Sequence, residues 1–237
     1  MIAEEHKIKV AIIDNSIDPK VYTPVEHWSQ HLEVDWEAFK VKRGDFPDLD
    51  EFTHLILSGS ETTILDREDW VEQEIELIQQ ALDKEMSILG SCYGHQLLAF
   101  SISGPEHVRR SADPEVGWIA VQVTQDSDLL GYHGEFHVFS SHFDEVANLG
   151  DEFKILASTR TCKIHAFQFK DLPVWGIQAH PEMDISASRQ FMQNQIKKKT
   201  GYSQLYEEAL GYPPKDSGLI RRIVHCFIQS GRGREID

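Results

Sequence analysis

A cysteine between two glycines joins a short apolar segment to an apolar run with helical character. Segment 86–89 leads into Gly90-Ser-Cys-Tyr-Gly94, and the run 96–102 follows. This order is that of a nucleophile elbow, with cysteine where many hydrolases carry serine. The tight turn needs small residues two before and two after the nucleophile, and Gly90 and Gly94 meet that need. The start of the following helix would favour a thiolate, so Cys92 is predicted to be the nucleophile of an enzyme.

A cysteine nucleophile needs a neighbouring base, because a thiol of ordinary pKa is only a few per cent ionised at neutral pH. The candidate is His180, which follows a predicted buried strand and precedes Pro181. Glu182 lies two residues further on and could hold the imidazole in one tautomer, as the acid does in other triads. The three residues are far apart in sequence, but such groups meet in the folded chain.

Strands and helices alternate in the first half of the chain. We predict strands at 9–13, 32–41, 53–57 and 86–89, and helices at 23–30, 66–84 and 96–102. This alternation implies a mostly parallel sheet with helices on both faces, which binds ligands at the carboxyl ends of its strands. The turn Ser58-Gly-Ser60 and the Cys92 elbow both fall at such ends.

The second half of the chain changes character. Short strands separated by turns predict an antiparallel extension of the sheet; they are placed at 118–124, 136–140, 154–158, 163–169 and 174–178. Helices are predicted at 186–199 and 219–229, and segment 212–218 is predicted to be a loop. The fold class is therefore α/β, a three-layer sandwich of flavodoxin-like type, with residues 1–237 forming a single domain.

Composition limits the classes of partner. The formal net charge of −16 argues against nucleic acid as a main ligand, and short basic runs such as Arg109-Arg110 are expected to face solvent. No apolar run approaches the roughly 20 residues that cross a bilayer, and the amino terminus lacks the pattern of a signal peptide. Three cysteines, an odd and sparse set, favour a reducing compartment, so we expect a cytoplasmic protein with no membrane partner.

Two sequence blocks resemble the signatures of the class I, triad-type glutamine amidotransferases. They are Gly90-Ser-Cys-Tyr-Gly-His-Gln96 and Gly176-Ile-Gln-Ala-His-Pro-Glu182. Three further blocks agree in order and spacing: 55–59 with the oxyanion strand, 115–118 with the loop that opens the antiparallel region, and 140–146 with the Ser-His-x-Asp segment. The resemblance covers about residues 8–195 and includes the fold of that family.

The resemblance implies a reaction and a role for each matching residue. Cys92 would attack the side-chain amide of glutamine to give a γ-glutamyl thioester, while His180 moves the proton and Glu182 orients His180. The backbone N–H groups of Gly59 and Tyr93 would form the oxyanion hole.

The same resemblance implies a substrate pocket. Gln96 would lie in it, and the backbone of Ser141, His142 and Phe143 would hold the amino-acid end of the substrate. No cofactor is expected.

Two departures from the family pattern leave the substrate open. Gly59-Ser60 stands where synthetase-linked members usually have two glycines, and Phe143 stands where they often have glycine. Both resemble free-standing members, such as the glutaminase domain of GMP synthase and the γ-glutamyl peptidases. No segment resembles a half that binds ATP or an ammonia acceptor, so a separate synthase subunit is an expected partner.

Three functions remain open at this point. The first is release of ammonia from glutamine, the second is cleavage of γ-glutamyl peptides or conjugates, and the third is a non-catalytic module that binds glutamine. A metal site is not expected: His133 and His137 lie near His142, but glycines interrupt any helix there, and no cysteine or acid completes a ligand set. His95 is expected to pack or hydrogen-bond rather than catalyse.

Overall fold

The computed structural model describes residues 7–199 and 201–230. Within these ranges nine strands form one mixed sheet. The strands are β1 (Lys9–Asp14), β2 (Asp35–Lys40), β3 (His54–Leu57), β4 (Ser87–Ser91), β5 (Val108–Val123), β6 (Gly134–Val146), β7 (Phe153–Ser158), β8 (Ala166–Phe169) and β9 (Val174–Ile177). Their order across the sheet is β2-β1-β3-β4-β9-β8-β7-β5-β6.

The first five strands of this order run parallel. Every residue of β3, β4 and β9 is buried, as expected for strands covered on both faces. Leu57 pairs with Gly90, and Gly90 pairs with Gly176. The carboxyl ends of β3, β4 and β9 are therefore level, and the chain leaves all three at one edge.

The remaining four strands extend the sheet antiparallel to β9. The long pair β5 and β6 dominates this part, with Glu115 opposite His142 and Gly117 opposite Ser140. The pairing shifts register between Arg110 and Glu115, which bends the ribbon. The bend brings the end of β6 beside the elbow at the end of β4.

Six helices lie within the described ranges. They are α1 (Pro24–Ser29), α2 (Val71–Asp83), α3 (Tyr93–Ser103), α4 (Ile185–Lys197), α5 (Ser203–Leu210) and α6 (Ile220–Gln229). The apolar faces of α2 and α3 cover one face of the sheet, and those of α1 and α6 cover the other. The predicted α/β three-layer architecture is thereby confirmed. Among these residues no helix combines the length and apolarity that a membrane crossing requires.

Three boundaries differ from the sequence prediction. Helix α2 begins at Val71 rather than 66, because Ile64–Asp66 forms a 3₁₀ turn that ends at Arg67 with φ +49°. Strand β2 is shorter than predicted and lies at the sheet edge, so Trp36 remains 42% exposed. Helix α5 was not predicted. The single-domain prediction for 1–237 and the one on the amino terminus include residues 1–6, 200 and 231–237, which lie outside the described ranges.

Candidate active site

Cys92 occupies a strained turn between β4 and α3. Its φ of +49° and ψ of −104° are rare for any residue with a side chain, and such strain is concentrated at functional sites. The two flanking glycines are required by contact. A Cβ atom on Gly90 would lie 2.4 Å from the carbonyl oxygen of Gly94, and one on Gly94 would lie 2.2 Å from that of Leu57. The turn therefore has the geometry expected of a nucleophile elbow.

Backbone hydrogen bonds fix the elbow to the strands on either side. The N–H of Cys92 donates to the carbonyl of Ile177 at 2.9 Å, and the N–H of Gly94 donates to that of Ser58 at 3.1 Å. The side-chain amide of Asn15 also donates to the Ser58 carbonyl, at 3.2 Å. The ends of β3, β4 and β9 are thus held in one arrangement.

The structure brings His180 and Glu182 together beside the elbow. Nδ1 of His180 donates to Oε1 of Glu182 at 2.8 Å, and both side chains are buried. The hydroxyl of Tyr22 donates to the same carboxylate oxygen, also at 2.8 Å. Tyr22 was not predicted as a site residue. Its position after β1, at the carboxyl edge of the parallel sheet, is the sequence signal that pointed there.

The charges in this group support one another. Burial lowers the pKa of His180, but the adjoining Cys92 and Glu182 side chains outweigh burial and raise it to about 10. Burial likewise raises the pKa of Glu182, but the charge of His180 and hydrogen bonds from His180 and Tyr22 lower it below its ordinary value. The imidazole therefore favours its positive form, with the sulfur on one side and a carboxylate on the other.

Gly59 and Tyr93 lie where an oxyanion hole is expected. A Cβ atom on Gly59 would be 2.6 Å from Cε1 of His180, so the backbone at this residue passes directly beside the imidazole. Tyr93 is the first residue of α3, and the first N–H groups of a helix have no acceptor within the helix. Both amides are thus near the sulfur.

A cavity of about 370 Å³ opens at Cys92. Its lining includes all four predicted pocket residues, Gln96, Ser141, His142 and Phe143. Gln96 is buried, and its Nε2 donates to the carbonyl of Asp144 at 3.1 Å. The side chain of His142 has no exposed area, so this residue presents its backbone to the cavity. The carbonyl of Ser141 lies 3.7 Å from the Cys92 sulfur.

Residues that were not predicted complete the wall. Phe143 stacks on Tyr202, with ring centroids 3.8 Å apart, and the hydroxyls of Ser141 and Tyr206 are 3.0 Å apart. Both tyrosines belong to the unpredicted α5 region, which explains why they were missed. Arg110, expected to be a solvated surface residue, is half exposed but also pairs with Asp144 at 2.9 Å at the rim of the cavity.

Comparisons with known proteins agree with this geometry. The family model described as glutamine amidotransferase class-I matches residues 7–199. γ-Glutamyl peptidase 3 of Arabidopsis thaliana is 31% identical over 157 residues, which are 62% of this chain and 62% of that protein. A glutamine-hydrolysing GMP synthase subunit of Methanocaldococcus jannaschii is 36% identical over 114 residues, 48% of this chain and 60% of its own. The chain thus spans about three fifths of the length of these two relatives.

Solved structures agree on the fold. A glutamine amidotransferase from Thermotoga maritima has a TM-score of 0.75 at 20% identity, covering 95% of this chain and all of its own. A putative GMP synthase subunit from Thermoplasma acidophilum has a TM-score of 0.63 at 26% identity, covering 87% and 99%. The extent of the family match, together with the elbow and the His180–Glu182 pair that it includes, shows that this chain belongs to the class I glutamine amidotransferase family.

Proposed function

We propose that the protein is an amidohydrolase that releases ammonia from glutamine through a thioester on Cys92. The observation that carries this proposal is the arrangement of His180, hydrogen-bonded to Glu182, beside a cysteine on a strained elbow at the floor of an open cavity. A module that only binds glutamine needs neither the strained backbone nor a buried ion pair aimed at a thiol. The non-catalytic alternative is therefore disfavoured.

The proposed reaction has two stages. His180 takes the proton of the Cys92 thiol, and the sulfur attacks the side-chain carbonyl carbon of glutamine. The resulting oxyanion accepts hydrogen bonds from the N–H groups of Gly59 and Tyr93. His180 then gives its proton to the departing nitrogen, so that the C–N bond breaks and ammonia leaves.

Water completes the second stage. His180 removes a proton from a water molecule, the oxygen attacks the thioester carbon, and the C–S bond breaks. Glutamate leaves and Cys92 regains its proton. Throughout, Glu182 and Tyr22 keep Nδ1 of His180 protonated, so the other ring nitrogen handles the moving proton.

The test is turnover of L-glutamine, with ammonia and glutamate measured separately. We expect the two products in equal amounts from the natural chain, and none above background from Cys92→Ala. Ammonia release at an unchanged rate by Cys92→Ala would refute the assignment. A glutamine-mimicking electrophile should label Cys92 and fail to label the alanine variant, which checks that the same sulfur is reactive.

A second candidate keeps the triad and changes the substrate to a γ-glutamyl peptide or conjugate. It is favoured by the similarity to a γ-glutamyl peptidase and by an aromatic wall, Phe143 on Tyr202, with Arg110 at the rim. Assaying glutamine against a panel of γ-glutamyl peptides distinguishes the two candidates. A strong peptide preference with negligible ammonia release from glutamine would select the second.

A partner belongs to the first candidate. Several relatives are named as glutamine-hydrolysing subunits of GMP synthase, and we propose that ammonia made here passes to a separate synthase subunit. Co-purification from the native source, followed by a glutamine-dependent synthase assay, tests this. Ammonia released freely into solution, with no stimulation by any co-purifying chain, would contradict it.

A further inference from the structure

A second polar cluster lies behind the cavity wall, away from the Cys92 sulfur. It consists of Glu115 on β5, His142 on β6 and His165 just before β8. One potential ligand atom from each lies within 4.8 Å of the others. Both imidazoles have no exposed area, and the Glu115 side chain is 9% exposed. Polar groups buried to this degree need partners, and the proposed reaction does not use these side chains.

The first two members present acceptors to each other. Nδ1 of His142 donates to the carbonyl of Asp144 at 2.9 Å, so Nε2 of the neutral ring carries a lone pair. That nitrogen lies 2.9 Å from Oε2 of Glu115, whose other oxygen already accepts from the hydroxyls of Thr159 and Thr161. A positive charge between the nitrogen and the carboxylate oxygen, either a proton or a metal ion, satisfies both.

His165 favours the metal ion. Its Nε2 lies 3.6 Å from the same Oε2 of Glu115, and neither of its ring nitrogens has a hydrogen-bond partner among the described residues. A single proton on His142 would join only one nitrogen to the carboxylate and leave His165 buried without a partner. An ion bound by all three side chains would satisfy Nε2 of both rings together.

The dimensions also fit a metal. Bonds of about 2.0–2.2 Å to a tetrahedral ion set neighbouring ligand atoms roughly 3.3–3.5 Å apart. The two separations from Glu115 Oε2, 2.9 and 3.6 Å, lie on either side of that value. The surroundings have the usual form as well, since a metal-bound histidine normally gives its other N–H to a carbonyl or carboxylate, as His142 does to Asp144.

We propose that Glu115, His142 and His165 bind a divalent transition-metal ion of the zinc class. Two imidazoles and a carboxylate suit such an ion, and a carboxylate would be too few oxygens for magnesium or calcium. Because His142 is the middle residue of the segment 141–143 that walls the cavity, the ion would fix this backbone. The inference does not depend on which reaction Cys92 performs.

The sequence prediction had grouped His142 with His133 and His137, and the structure separates them. His133 lies at the surface and pairs with Asp126, and His137 is nearest to Glu135. The acid and the second histidine that meet His142 come instead from positions 27 residues before it and 23 residues after it, on other strands. No local spacing in the sequence could reveal that set.

The test is titration of the untagged full chain with Zn²⁺. The Cys92→Ala variant is used, so that the active-site sulfur cannot take the ion. We expect about one tightly bound ion per chain and a rise in melting temperature with added Zn²⁺, since a ligand that binds only the folded state stabilises it. His165→Gln should weaken binding by about 100-fold or more, the upper range for losses around metal sites. His133→Gln, at an exposed histidine–aspartate pair, is the matched control and should leave binding unchanged.

Two results would overturn the proposal. One is the absence of tight Zn²⁺ binding and of any change in melting temperature in the Cys92→Ala protein, which would assign the charge to a proton on His142. The other is binding that survives His165→Gln and disappears in His133→Gln. If His165→Gln does not fold, Co²⁺ bound to the parent still decides, because nitrogen ligation gives visible absorption bands that an ion on surface carboxylates does not.

Discussion

Glu74 makes a pH-dependent contribution to stability that can be isolated by one substitution. It lies on α2 with 1% of its surface exposed, and the hydroxyl of Tyr93 donates to its Oε2 at 3.2 Å. Burial raises the pKa of Glu74 from its ordinary 4.5 to about 8, because hydrogen bonds from Tyr93 and Asn15 offset the burial only in part. The group is therefore a neutral acid in the folded protein at neutral pH.

The sign and size follow from linkage. Between pH 4.5 and about 8 the folded state holds a proton on Glu74 that the unfolded chain has lost, so stability falls as pH rises. The contribution is complete below 4.5 and lost above about 8. This interval corresponds to at most about 5 kcal/mol at 1.36 kcal/mol per pH unit. Glu74→Gln keeps an acceptor for Tyr93 and has no proton to lose, so its stability relative to the natural chain should rise with pH.

Urea unfolding of both proteins at several pH values measures this difference. From about pH 5.5 to about pH 7.5 we expect the free energy of unfolding of Glu74→Gln to gain about 2–3 kcal/mol on that of the natural chain. Glu76→Gln, on the exposed face of the same helix, is the control and should show no such trend. If the difference between Glu74→Gln and the natural chain is constant with pH, Glu74 does not hold a proton in the folded state and the reasoning fails.

Three further predictions concern the site and its wall. Tyr22→Phe should lower kcat about 10- to 100-fold with little change in KM, because a hydrogen bond to a buried charge is worth about 1.5–3 kcal/mol; steady-state kinetics that show an unchanged kcat would contradict this. Gly94→Ala should lower the melting temperature sharply or prevent folding, since its Cβ would meet the carbonyl of Leu57, and a normal thermal melt would disprove the clash. Phe143→Ala should raise kcat/KM for γ-glutamyl peptides relative to glutamine several-fold by removing the stack on Tyr202, and an equal ratio in both proteins would show that this wall does not select the substrate.

The parallel half of the fold was predictable because its signals are local. Buried strands such as β3 and β4 are short apolar runs bounded by glycine or serine, and the elbow requires glycine at two fixed positions. The contacts between Cys92, His180 and Glu182 were inferred from a family resemblance and from strand ends, since no periodicity joins positions almost ninety residues apart.

The missed residues depend on tertiary contacts. Tyr22 reaches Glu182 from a loop, and the Glu115 cluster is assembled across three strands of the antiparallel region. Helix α5 has only two buried residues, Tyr206 and Ala209, so its apolar pattern is too short to stand out. In each case the partner, rather than the neighbouring sequence, gives the residue its place.

The junction between the parallel and antiparallel halves of the sheet separates two tasks. The atoms that make and break bonds are anchored at the ends of β3, β4 and β9, whereas the far wall, residues 141–143, belongs to the β5–β6 ribbon. Substitutions in the ribbon can therefore change which molecule is admitted without moving the sulfur or the imidazole. Such a layout lets one catalytic apparatus be inherited intact while descendants diverge in what they consume.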